Sequence, residues 1–152
     1  MDFFGAGKEL RRFNQLLAEI EVAYHEAAWK LGLSDSAERI LYAICNLGAP
    51  CLLSEIVRFS GTSKQTINSA LRNLEKDGIL RLETTGGRKK QVFLTEEGES
   101  LVRKTAMQVV EIENEIYSGW TEAELRLYLE LTQRYLCEFR EKTRDLKRRE
   151  NG

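Results

Sequence analysis

Proline, histidine and paired cysteines are what this sequence has least of. One proline, Pro50, in 152 residues leaves long stretches free to run as uninterrupted helices. One histidine, His25, and three cysteines without CxxC spacing, Cys45, Cys51 and Cys137, offer neither a zinc ligand set nor a disulfide framework. No nucleophile–base pair and no Gly-rich loop between a strand and a helix stands out, so neither an enzyme nor a cofactor or metal site is expected. No apolar run approaches the roughly 18 residues that a membrane span requires. Residues 1–5 lack the basic-then-apolar layout of a secretory signal, so a cytoplasmic protein without a membrane partner is expected.

Charge is abundant, at 31% of residues, and nearly balanced: 23 Lys and Arg face 24 Asp and Glu. A net charge of −1 taken alone argues against a nucleic-acid partner. Distribution matters more than the sum. Between Gly61 and Gln91 stand Lys64, Arg72, Lys76, Arg81, Arg88, Lys89 and Lys90, against only Glu75, Asp77 and Glu83. Positive charge is gathered in one stretch, and the remainder of the chain is acidic.

That stretch is also the most structured in pattern. Residues 53–60 form a short helix with Ile56, Val57 and Phe59 as apolar contacts. Its start is ill-defined because Leu52 is a poor N-cap. Gly61 breaks it, and Ser63 caps a second helix over residues 64–76. There Ile67, Ala70, Leu71 and Leu74 recur with helical period and face inward. Lys64, Gln65, Thr66, Asn68, Ser69 and Arg72 then face outward. Solvated helix faces favour Glu and Lys, which have better helix propensity. A face of Gln, Thr, Asn and Ser gives up propensity, and reading of base edges explains the choice, since Gln and Asn pair bidentately with adenine in the major groove. The bland alternative is a polar solvent face. Residues 79–83 and 91–95 alternate as half-buried strands around Gly86-Gly87, with Arg88, Lys89 and Lys90 at the tip. Arg in such a place suits a narrow minor groove, or else guards the hairpin against edge-to-edge pairing. Helix, corner, helix and basic-tipped hairpin make a winged helix-turn-helix in a mainly α (α+β) chain.

Around this centre the pattern is helical. Leu10, Phe13, Leu17, Ile20, Tyr24, Ala27 and Leu31 form a narrow apolar seam that suits either a partner chain or a core contact, and Gly32 ends it. Ser34 or Asp35 caps the next helix, with Glu38 completing a capping box after Asp35. Ile40, Leu41, Ile44 and Leu47 are its buried face, and Gly48-Ala49-Pro50 breaks it. Thr95 caps a helix that carries Val102, Ala106, Val109, Ile112 and Ile116 to Ser118-Gly119. Thr121 with Glu124 boxes the last helix, over residues 122–146, and residues 147–152 are expected to fray.

With these residues placed, the chain resembles the MarR family of bacterial transcription regulators over nearly its full length. The resemblance is carried by Leu53-Ser54-Glu55-Ile56, Ser63-Lys64-Gln65-Thr66-Ile67, Leu74-Glu75-Lys76-Asp77-Gly78-Ile79 and Val92-Phe93-Leu94-Thr95-Glu96-Glu97-Gly98. It implies a DNA-binding part at 34–97 and helical dimerisation parts at 8–32 and 98–147, joined into a homodimer by the first and last helices. It implies double-stranded DNA as partner and a repressor as the mode of action. Lys64, Gln65, Thr66, Asn68 and Ser69 would lie at base edges or phosphates, with Arg88 in the minor groove. It further implies a small aromatic or phenolic effector, for which Tyr24, His25, Trp29 and Trp120 are candidate pocket residues, core or dimer packing being the commoner role for each. The sequence departs from the family at Gly86, where an acid often steadies the wing Arg, and at Ser69, where many members carry Arg. Two further readings compete: a winged helix used only for protein contact, and Cys51 as a redox sensor rather than an idle thiol.

Overall fold

Short-range signals place most of the elements. The computed structural model describes residues 5–147. Helix α1 (Lys8–Lys30) is followed by α2 (Asp35–Leu47), strand β1 (Cys51–Leu52), α3 (Leu53–Ser60), α4 (Lys64–Lys76), β2 (Leu80–Thr85) and β3 (Lys89–Leu94). Then come α5 (Glu96–Lys104), α6 (Ala106–Ser118) and α7 (Glu122–Thr143). Two compact units divide the chain, residues 1–111 and 112–152.

In the first unit, Ser34 is the N-cap of α2: its hydroxyl accepts from the Ala37 N–H at 3.2 Å. Asp35 is therefore the first helical residue, and Glu38 turns inward, 7% exposed, rather than closing a box with it. Helix α3 starts at Leu53, fixed by Glu55, whose carboxylate accepts from the Leu52 N–H at 2.9 Å. Leu52 has no acceptor of its own, so only the acidic half of a capping box operates. Gly61, at φ 63°, makes the left-handed corner between α3 and α4 that a residue with a Cβ adopts only under strain. Ser63 then caps α4 through the Thr66 N–H at 3.3 Å.

The core gathers Ile40, Leu41 and Ile44 of α2, Ile56 of α3, Ile67, Leu71 and Leu74 of α4, and Leu80 and Val92 of the sheet. The sheet has three antiparallel strands in the order β1-β3-β2, one more than the hairpin read from sequence. The added strand is the two-residue β1, with Cys51 opposite Val92 and Leu52 opposite Gln91. Strands β2 and β3 are longer than expected. Lys89 and Lys90 pair with Thr85 and Thr84, so of the three basic residues only Arg88 lies in the turn.

The helix expected from Thr95 to Ser118 is broken at Thr105, whose φ of −130° and ψ of −94° leave the helical region. Its buried hydroxyl bonds back to the Leu101 carbonyl at 2.6 Å, a local bond that competes with the helical ladder. Just before it, Thr95 caps α5 through the Gly98 N–H at 3.0 Å and hydrogen-bonds the Ile79 carbonyl, also at 3.0 Å. Gly98 packs so tightly that a Cβ there would stand 1.9 Å from the Ile79 carbonyl oxygen. The turn into β2 is thus clamped to the start of α5.

The second unit holds the end of α6 and all of α7. Thr121 and Glu124 form the reciprocal capping box at bonds of 3.1 and 2.8 Å, as the sequence predicts. Trp120 packs between Tyr117 and Tyr128, with ring centroids 5.7 and 5.4 Å away. Helix α7 ends at Thr143, a turn before the expected Leu146, and contains no buried residue. Of the expected fraying tail, only Lys147 falls among the described residues.

Candidate nucleic-acid interface

Helix α4 has two chemically distinct faces. Ile67, Ala70, Leu71 and Leu74 are buried, none more than 7% exposed. Lys64, Gln65, Thr66, Ser69 and Arg72 are exposed, and Asn68 is half-buried. Ser63 is occupied by its cap and by the Thr66 hydroxyl, 2.9 Å away. The first turn of α4 is therefore held by its own hydroxyls, while the amides of Gln65 and Asn68 remain on the outer side.

The wing stands beside this face. Lys64 and Asn68 line one recess of about 470 Å³ together with Arg88, Lys89 and Lys90. Leu52, Leu53, Ser54 and Val57 supply its remaining wall from β1 and α3. Four cations and no carboxylate line it, so its field is uniformly attractive to phosphate. Five of the ten residues expected to contact DNA thus converge on one concavity. Gln65, Thr66, Ser69 and Arg72 lie outside its lining, on the exposed side of α4, and so does the N-cap Ser63. Ser54 was not among the candidates. Its place as the second residue of α3, beside a wing distant in sequence, left no local signal.

The wing lacks an acid at Gly86 and is braced elsewhere. Glu75, near the end of α4, accepts from the Leu82 N–H of β2 at 3.2 Å, which ties the reading helix to the hairpin. Arg81 lies over the Phe93 ring at 4.7 Å and pairs with Glu83 at 3.3 Å, so it belongs to the hairpin's own framework.

A second recess, of about 160 Å³, lies where α1, α2 and the end of α3 meet. Tyr24 and His25 line it, as do Tyr42 and Phe59. The Tyr24 and Tyr42 rings meet edge-on at 6.4 Å, and Tyr42 and Phe59 are tilted at 6.1 Å. His25 Nδ1 is 2.6 Å from Asp35 and its Nε2 is 3.3 Å from Glu21. Arg39 pairs with Glu21 and donates to the Ser60 carbonyl at 3.4 Å. The Asp35 hydrogen bond, aided by the charges of Asp35 and Glu21, raises the His25 pKa above its ordinary value against desolvation and Arg39. Of the other candidate pocket residues, Trp29 is 78% exposed and outside this lining, and Trp120 belongs to the second unit.

Cys51 is buried, and desolvation, reinforced by Glu55, pushes its thiol up to about 11. It is protonated at neutral pH, the reverse of what a reactive thiol needs. Among the described residues no helix is long and apolar enough to cross a membrane.

A buried helix-turn-helix with an outward polar helix and a basic β-hairpin beside it defines a winged-helix protein. Residues 31–91 match the model of the MarR family. Solved structures share its fold over most of its length. A MarR family regulator from Neisseria meningitidis superimposes with a TM-score of 0.74 at 19% identity, covering 90% of this chain and 96% of that one. Staphylococcus aureus MepR in a DNA complex gives 0.65 at 18% identity, with 88% and 99% covered. The PcaV transcriptional regulator from Streptomyces coelicolor, in complex with its natural ligand, gives 0.60 at 16% identity, with 88% and 97% covered. At these identities the likeness is one of fold. No curated protein matches the chain significantly.

Proposed function

We propose that the chain is a DNA-binding transcription regulator that acts as a homodimer on a pseudo-palindromic operator, as a repressor, in the cytoplasm. The observation that carries this reading is the convergence of Lys64 and Asn68 with Arg88, Lys89 and Lys90 on one acid-free recess beside the polar face of α4. Helix α4 enters the major groove, where Gln65 and Asn68 read base edges. Arg88 reaches the minor groove, and Lys64, Arg72, Lys89 and Lys90 meet phosphates. A second copy covers apolar faces that stand open in a single chain. Leu10, Leu17 and Ile20 of α1 are 45–49% exposed, and Leu129 and Phe139 of α7 are 57% and 54% exposed. Half-sites then lie about one helical turn apart, roughly 34 Å. A small effector in the recess between α1, α2 and α3 releases the operator.

The test is a mobility shift with operator and random DNA. Gln65→Ala and Asn68→Ala each narrow the gap between the two by about 1–3 kcal/mol, the value of a good bidentate base contact. Arg72→Ala weakens both alike. Equal losses on both DNAs for all three variants contradict the assignment of roles. No affinity for either DNA at low salt favours a protein-contact module instead.

A further inference from the structure

The recess between α1, α2 and α3 has a composition that selects its occupant. We infer that it binds a small aromatic amine in its cationic form, which makes the effector of the proposed regulator an organic cation rather than a phenolate. The inference rests on the regulator reading only for its biological role; the site itself stands on geometry. Three carboxylates, Glu21, Asp35 and Glu38, line the recess, and Glu38 is only 7% exposed. Against them the lining sets two basic groups, Arg39, engaged by Glu21 and the Ser60 carbonyl, and His25, held between Asp35 and Glu21, so that acids outnumber bases three to two. An anion entering here meets an excess of negative charge, whereas a cation meets complementary charge. Three rings, contributed by three different helices, complete the enclosure: Tyr24, Tyr42 and Phe59. Aromatic faces attract cations through their quadrupole, more strongly where water is partly excluded. A volume of about 160 Å³ suits a ligand of one ring, comparable to the roughly 150 Å³ cavity that holds benzene in another protein. Bound there, an ammonium contends with Arg39 for Glu21. Arg39 is the residue that ties α2 to the last residue of α3, immediately before the Gly61 corner of the reading head.

The test is calorimetric titration of the full chain, without DNA, with three probes of like size: benzylammonium, benzyl alcohol and benzoate. Benzylammonium is expected to bind about tenfold or more tightly than the alcohol, and benzoate more weakly than both. Asp35→Asn, at a half-exposed carboxylate, and Phe59→Leu, which keeps an apolar side chain, should each shrink the ammonium-to-alcohol ratio by about threefold or more. Benzoate binding as tightly as benzylammonium overturns the inference. So does a ratio near one, a ratio that neither variant changes, or no binding of any probe. Operator binding by the ligand-free protein is measured in parallel. Its absence would overturn the regulator reading while leaving the cation preference standing.

Discussion

Two recesses lie in the first unit, between Glu21 and Lys90, and they are chemical opposites. The one between α3, α4 and the wing is lined by four cations and no acid. The one between α1, α2 and α3 holds three carboxylates, one guanidinium, one imidazole and three aromatic rings. The net charge of −1 averages the two away. A total near zero is thus compatible with two strong local fields of opposite sign, and each field indicates a different class of partner. Helix α3 contributes to both recesses, Leu53, Ser54 and Val57 at its start and Phe59 and Ser60 at its end.

The hardest way to break the comparison is to invert one side of it. Reversing Arg88, Lys89 and Lys90 together to Glu should lower DNA affinity by at least about a hundredfold, because it replaces phosphate attraction with repulsion. Binding of benzylammonium to the other recess should be unchanged. A loss of both would mean that the two sites are not separate.

A smaller effect comes from moving a wall rather than a charge. In Gly98→Ala the new Cβ would meet the Ile79 carbonyl oxygen at 1.9 Å, a backbone atom that cannot swing aside. A loss of about 1–3 kcal/mol, the usual cost of overpacking, is expected in chemical denaturation. Gly119→Ala, whose nearest contact is 3.4 Å, should cost far less. Equal stability of the two variants would show that the clamp between the β2 turn and α5 is not tight.

The smallest effect concerns His25. Its folded-state pKa is raised, chiefly by the Asp35 hydrogen bond, so its contribution to stability is fully present below its ordinary value of about 6.5. That contribution is lost as pH rises through the raised folded-state value. Both ion-pair partners are half-exposed, so solvent screens the effect. The melting temperature should fall slightly between pH 6 and pH 8 relative to His25→Gln. A relative rise over that interval would contradict the assignment.

The basic recess was largely legible in the sequence and the acidic one was not. Helical period separates Ile67 and Leu71 from Gln65 and Asn68 within a few residues, and a Gly-Gly turn next to three cations marks a wing. What escaped is what depends on pairing across the chain. Strand β1 is two residues long and has no periodicity; Val92 and Gln91 of β3 define it. The same pairing logic carried β3 back to Lys89, so that two of three expected tip residues lie in a strand. Thr105 fits a helical pattern, and its departure from helical dihedrals has no mark in the sequence: Thr132 makes the same back-bond inside α7 without a break. Tyr24 and His25 were read as candidate pocket residues, but Asp35, Glu38, Arg39 and Phe59 join them only once α1, α2 and α3 have packed.

The claim most in need of test is that the cations of the reading head face phosphate. If Lys64, Arg72, Lys89 and Lys90 of two copies each displace a counterion, log affinity should fall with log salt at a slope of roughly −7. Fluorescence anisotropy of a labelled operator duplex between 50 and 200 mM salt measures this directly. A slope near that value in the native chain, flattened by about two when Lys90→Ala removes one cation from each copy, is the expected result. A flat salt response, or no binding at 50 mM, would contradict it.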